Sequence, residues 1–217
     1  LKIAILSSPN QWFIPYAKAL SKRLKAPFYE NHKDIKNADI IFVLSYHKII
    51  EKEFLNKASF FIIHASNLPQ GKGWSPLFWQ VLEGKKEIVF TLFKASVGVD
   101  SGDIYLQKTL KLTGLELFDK LRSKQGQMCV KMCIEFLKNY SILRPISQKL
   151  LLKKGAKESF YTKRSPKNSK LDINKSLDEN FNLLRICDNE NFPAFFYKNG
   201  VKFIIKIYSI STDEYFK

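Results

Sequence analysis

The chain has 217 residues, of which 45% are hydrophobic and 18 are Phe, enough for one large domain or a domain with a small appendage, and this excludes global disorder. Thirty-six basic against 20 acidic residues give a net charge of +16, a balance that attracts phosphate-bearing metabolites, nucleic acid or anionic lipid without choosing among them. No apolar run approaches the ~20 residues of a membrane-crossing helix, so no membrane partner is expected.

Lys2 to Ser8 is an apolar run ended by Pro9 and Asn10, and reads as a buried first strand. Ala17, Leu20 and Leu24 then recur at helical spacing within a segment from Ile14 to Leu24. Ile40 to Leu44 is a second strand that runs into Ser45-Tyr46-His47-Lys48, and a short helix is expected from Glu51 to Asn56. Phe60 to Ile63 is a third strand, leading into His64-Ala-Ser-Asn-Leu-Pro-Gln-Gly-Lys-Gly-Trp-Ser-Pro76. Ser75-Pro76 reads as a helix start, with Ser as cap and Pro where a missing N–H is harmless. Gly84 supplies the stop.

Ile88 to Phe93 is another strand, and Asp100 to Gln107 a turn followed by a strand. Thr113-Gly-Leu-Glu116 has the spacing of a capping box for a helix reaching about Tyr140. Alternating strands and helices predict an α/β domain with a mostly parallel sheet over residues 1–150. From Arg144 to Lys175 the chain carries ten basic and two acidic residues, half of the net charge. Residues 151–217 are expected to form a linker and a small β-containing appendage, with Asn199-Gly200 turning a hairpin whose aromatic surface suits a homodimer.

Cys129 and Cys133 lie four apart on an expected helix and Cys187 stands alone. No His or Cys is spaced to complete a zinc site, so they read as small core residues and no metal is expected. Three cysteines without a secretion-type start point to a reducing compartment such as the cytoplasm.

In open α/β sheets, ligands bind beyond the carboxyl ends of the strands. Three polar bursts fall there: Ser45 to Lys48, His64 to Trp74, and Val97 to Asp103. Gly71-Lys72-Gly73 matches neither a dinucleotide fingerprint nor a P-loop. His32 reads as a surface residue. His64 is either a satisfied structural histidine or a base, and Asp100 either a turn residue or the carboxylate that fixes the His64 tautomer.

The stretch from His64 to Pro76 together with Val97-Gly-Val-Asp-Ser-Gly-Asp-Ile104 resembles the signature of the 10-formyltetrahydrofolate-dependent formyltransferases. The resemblance implies a Rossmann-like formyltransferase domain, 10-formyltetrahydrofolate as formyl donor, and His64 and Asp100 as catalytic residues. The third catalytic member does not match: the family has asparagine two residues before the histidine, and here that residue is Ile62. Without a side-chain donor at 62, protonated His64, a backbone N–H or Asn67 must stabilise the oxyanion. Asn67 could equally contact the acceptor or cap the loop.

The resemblance also assigns Tyr46, Lys48, Ile49 and Ile50 to a folate loop, with Val97 and Gly98 facing it. The Gly-Trp-Ser-Pro variant and Asn10-Gln-Trp-Phe-Ile-Pro-Tyr16 are similar to a narrower group that formylates UDP-linked 4-amino sugars in the pseudaminic-acid pathway. That resemblance implies such a sugar as acceptor and places Ser66, Lys72, Gly73, Trp74, Lys163 and Arg164 on the acceptor side. Lys72 and the basic stretch could also be solvated surface. The residues from Ser165 to Lys217 look too few for the barrel of the tRNA formyltransferases, so nucleic acid is not the expected partner. The alternatives are a methionyl-tRNA formyltransferase-like enzyme, or an RNA-binding member of this fold that has lost catalysis.

Overall fold

The structure is a computed structural model, which describes residues 1–210. Residues 211–217 of the expected appendage lie outside the described residues. In chain order the elements are β1 (Ile3–Leu6), α1 (Ile14–Leu24), β2 (Phe28–Tyr29), a 3-10 turn (His32–Asp34), β3 (Ile40–Val43), α2 (Lys52–Leu55), β4 (Ser59–His64), β5 (Lys72–Gly73), α3 (Pro76–Leu82), β6 (Glu87–Lys94) and β7 (Ile104–Lys111). They continue with α4 (Phe118–Asn139), α5 (Gln148–Lys153), β8 (Phe160–Tyr161), a 3-10 turn (Pro166–Ser169), α6 (Leu177–Arg185), β9 (Ala194–Lys198) and β10 (Val201–Ile205).

Six strands form one sheet in the order β2-β1-β3-β4-β6-β7. The first four are parallel; β6 and β7 join antiparallel. The near-continuous apolar runs of β1, β3 and β4 follow from cover on both faces. Ile5, Phe42 and Phe61 join the core that α1 and α4 close, against Leu20, Met132 and Phe136. The alternate residues Ala4, Leu6, Ile41, Val43 and Phe60 pack on the other face against Ile35, Phe54 and Leu55.

From β1 the chain crosses first to β2 on one side, then returns to β3 on the other. The crevice beyond their carboxyl ends is therefore a topological switch point, where ligands bind in such sheets. There the backbone N–H of His47 donates to Ser8 Oγ at 2.9 Å, tying the loop after β3 to the loop after β1.

The expected hairpin forms: β9 and β10 pair antiparallel, and Asn199 and Gly200 both take positive φ, as a two-residue turn of matching twist demands. All three cysteines are buried and free, and burial pushes the Cys129 thiol up to about 12.

Three expectations are corrected. Ser75 does not cap α3: it sits at φ 50° with no side-chain cap bond, while Pro76 does open the helix. The Thr113–Glu116 motif closes one turn ahead of α4, which starts at Phe118 with Leu117 at its N-cap. Glu116 accepts from the N–H groups of Thr113 and Gly114, but the Thr113 hydroxyl accepts from Leu115 instead of Glu116. His32 is no surface residue; it is 2% exposed, and its ring nitrogens bond Tyr46 Oη and Glu51 Oε2, both at 2.6 Å.

Candidate active site

His64 is the last residue of β4, and the apolar register of that strand delivers it to the switch-point end of the sheet. Its side chain is nearly buried. Nε2 lies 2.8 Å from the carbonyl oxygen of Gly71. A carbonyl only accepts, so Nε2 carries the proton and donates. The neutral ring then keeps its lone pair on Nδ1, which faces Asp100 Oδ2 at 3.7 Å.

That separation is beyond hydrogen-bond range. The Asp100 carboxylate is held instead by the backbone N–H of Gly73, which donates to Oδ2 at 2.9 Å. The expectation that Asp100 fixes the His64 tautomer is thus corrected: Gly71 fixes it. Asp100 Oδ2 still lies within ion-pair distance of the ring.

Both glycines of the motif are constrained from outside it. Lys72 and Gly73 form β5, which pairs with β8 at Phe160 and Tyr161. Gly73 has φ 92°, and a Cβ there would lie 2.5 Å from the Tyr161 carbonyl oxygen, so no other residue fits without moving β8. On the opposite side, the Gln148 amide donates to the carbonyls of Asp100 and Gly102 at 2.9 and 2.7 Å. Gly102 packs so tightly on the Lys94 carbonyl that a Cβ would overlap it. The chain beyond residue 147 therefore braces both halves of the His64–Asp100 pair.

Ile62 lies two residues before His64, hence on the same side of β4, and is partly buried against two apolar clusters that include Phe60 and Phe93. Asn67 is exposed; its amide oxygen accepts from Gln107 Nε2 at 3.0 Å, which leaves its own NH2 group as a donor. Ser66 is 1% exposed, and its hydroxyl is buried without a hydrogen-bond partner among the described residues.

Lys72 departs from expectation. It is buried rather than solvated, and its ammonium pairs with Glu158 at 2.6 Å over the Phe160 ring, so its charge is already matched. Trp74 is half-exposed between the His47 ring, 6.0 Å away, and Lys163, whose ammonium lies 5.1 Å from the ring centre. Burial and the Lys163 charge hold His47 below the ordinary imidazole value. Arg164 lies 5.5 Å over Trp79 on the same rim.

In the loop after β3, Tyr46 is anchored by His32 while Lys48 and Ile49 project to solvent and Ile50 packs on the second core face. Across the site, Val97 and Gly98 are exposed. Ile49, Val97 and Val99 are exposed apolar side chains of these two loops. Sequence reasoning missed His32, Gln148 and Tyr161 as supports of the site. Only the buried environment identifies them, because each acts through contacts with residues far along the chain.

A family model described as formyl transferase matches residues 7–134. The chain is 32% identical to the methionyl-tRNA formyltransferase of Thermosipho melanesiensis over 183 residues, 83% of this chain and 58% of that protein. It thus spans little more than half of that curated relative. Among solved structures, a methionyl-tRNA formyltransferase from Clostridium thermocellum superposes with a TM-score of 0.78 at 20% identity, covering 97% of this chain and 94% of that one. A sugar N-formyltransferase from Shewanella sp. superposes with a TM-score of 0.70 at 15% identity, covering 97% and 98%. The fold and the family match over more than half of its length agree: the chain belongs to the formyl transferase family.

Proposed function

We propose that this chain transfers a formyl group from 10-formyltetrahydrofolate, the donor of its family, to a primary amine. The observation that carries the reading is the opposed anchoring of His64 by Gly71 and Asp100 by Gly73. It leaves one basic nitrogen, Nδ1, beside a fixed carboxylate at the mouth of the crevice.

The neutral amine nitrogen attacks the formyl carbon, and its N–H proton passes to His64 Nδ1, directly or through one water. Asp100 lowers the cost of the resulting imidazolium. The bond between the formyl carbon and the folate nitrogen then breaks, and His64 returns the proton to that leaving nitrogen. A positioned base of this kind accounts for about 10²–10⁴-fold of rate. The tetrahedral oxyanion takes a hydrogen bond from the Asn67 amide or a backbone N–H, since Ile62 offers none.

Two acceptors fit this chemistry. The relatives from Thermosipho melanesiensis and Pseudothermotoga lettingae are named methionyl-tRNA formyltransferases, which favours the amine of methionyl-tRNA. The Gly73-Trp74-Ser75-Pro76 segment, by its resemblance, supports the 4-amino group of a UDP-linked sugar. Incubation with 10-formyltetrahydrofolate and each acceptor, followed by mass spectrometry, separates them by which product gains one formyl group. Failure with both acceptors, in protein that binds tetrahydrofolate, defeats the reading. Strongly salt-dependent RNA binding without folate binding supports the non-catalytic alternative in its place.

A further inference from the structure

A cavity of about 440 Å³ opens beside the site, lined among others by Gln11 and Trp12 from the loop after β1, Arg122 from α4, Arg164, and Asp188. Ser75, two residues beyond the Gly73 that holds Asp100, also lines it. Its volume is within the range of small-molecule sites. We propose that this cavity is an anion subsite that takes a phosphate or diphosphate group of the formyl acceptor, with Arg122 and Arg164 as its donors. The proposal rests on the reading of the chain as a formyl transferase whose acceptor bears phosphate.

The first argument is the state of the two guanidinium groups. Arg122 is clamped between rings, with its central carbon 4.3 Å from the Trp12 centroid, 4.4 Å from Phe78 and 5.3 Å from Phe118. Stacking uses the faces of the guanidinium and leaves its five in-plane N–H groups for acceptors. Yet, among the described residues, Nη1 has only a 3.3 Å hydrogen bond to Gln125 Oε1, and Nε is buried with no partner. Arg164, with its central carbon 5.5 Å from the Trp79 ring centre, leaves Nη1 buried without a hydrogen-bond partner among the described residues. Orphaned donors on a charged group are costly, and both belong to residues that line this cavity, so a ligand oxygen completes them once each guanidinium turns its edge toward it.

The second argument is charge. Neither arginine forms an ion pair among the described residues. Asp188 is the acidic residue on the wall, and its carboxylate is occupied by the Asn191 amide and the N–H groups of Glu190 and Asn191. Two cations against one satisfied anion leave the cavity net positive. Arginine is also the side chain best matched to the geometry of phosphate oxygens.

Calorimetric titration of the intact chain with UDP, and separately with the RNA trinucleotide CCA carrying a 5′-phosphate, tests the subsite without requiring turnover. UDP should bind, and Arg122→Met and Arg164→Gln should each weaken it about tenfold or more. Asp188→Asn should tighten it. Tetrahydrofolate affinity should stay unchanged in all three variants, which also verifies that they fold. Tighter binding of the RNA than of UDP, with the same arginine dependence, keeps the subsite and assigns its phosphate to a tRNA acceptor. Absence of binding by both ligands, or equal affinities in the wild type and both arginine variants, overturns the proposal. Arginine-dependent UDP binding without formyl transfer to any amine defeats the proposed activity but leaves the subsite standing.

Discussion

The imidazole of His64 donates through Nε2 to the carbonyl of Gly71 at 2.8 Å, seven residues on in the chain. That bond, made by the backbone of the motif itself, sets which nitrogen is basic. Asp100 Oδ2 lies 3.7 Å from Nδ1, within ion-pair distance but beyond hydrogen-bond range.

This geometry separates the two residues experimentally. His64→Ala should lower kcat by about 10²–10⁴-fold. Asp100→Asn preserves an oxygen for the Gly73 N–H but removes the charge beside Nδ1, and should cost about 10- to 100-fold in kcat with little change in folate affinity. Steady-state kinetics check both; equal loss of folate binding in Asp100→Asn would mean that the residue mainly holds the loop.

Gly73→Ala should damage both fold and activity. The new Cβ would sit 2.5 Å from the Tyr161 carbonyl oxygen at a φ of 92°. Displacing β8 and straining that backbone should destabilise the chain by about 1–3 kcal/mol, read as a lowered Tm. Because the Gly73 N–H also holds Asp100, kcat should fall even at temperatures where the variant is fully folded.

Asn67 and Ile62 bear on the oxyanion. Asn67→Ala should reduce kcat by about 10²-fold with smaller effects on KM, as expected for a donor that engages the tetrahedral state. Gln107→Ala, which frees the Asn67 amide to rotate, should give a milder loss. Ile62→Asn puts a polar group among partly buried apolar neighbours and should cost about 1–3 kcal/mol of stability. Undiminished kcat in Asn67→Ala leaves the oxyanion to a backbone N–H or protonated His64.

Glu116 provides a pH test of stability. Burial raises its pKa, but the N–H groups of Thr113 and Gly114 and the Lys124 ammonium outweigh that effect and hold the carboxyl at about 2. A carboxylate depressed in the folded state contributes stability above its unfolded value, and that contribution fades as pH falls toward the folded value. Tm should therefore drop between pH about 4.5 and about 2. In Glu116→Gln the slope over this window should be shallower, as measured by thermal melts across the range. An unchanged slope would show that other carboxylates control acid unfolding.

The elements were largely legible because their signals are local. Ile14–Leu24 has helical spacing throughout, and Asn199-Gly200 between β-rich runs specifies its turn through backbone sterics alone. The Thr113–Glu116 motif was misread at the level of the helix start. Its spacing fits a capping box, yet the paired N–H groups belong to a turn before α4. His32 was misread because a lone histidine between polar residues carries no sign of burial. Its partners, Tyr46 and Glu51, come from a loop 14 to 19 residues away.

The sequence by itself determined the α/β class, the main strands and helices of the first 140 residues, the delivery of His64 to the end of a buried strand, and the likeness that couples it to Asp100. Strand periodicity and local turn chemistry suffice for these. Only the tertiary structure decided that Gly71 orients the imidazole, that Glu158 neutralises Lys72 from 86 residues away, and that β8 and Gln148 brace the pair from both sides. Such contacts depend on which backbone groups meet after the chain closes on itself, and no pattern of nearby residues encodes those distances.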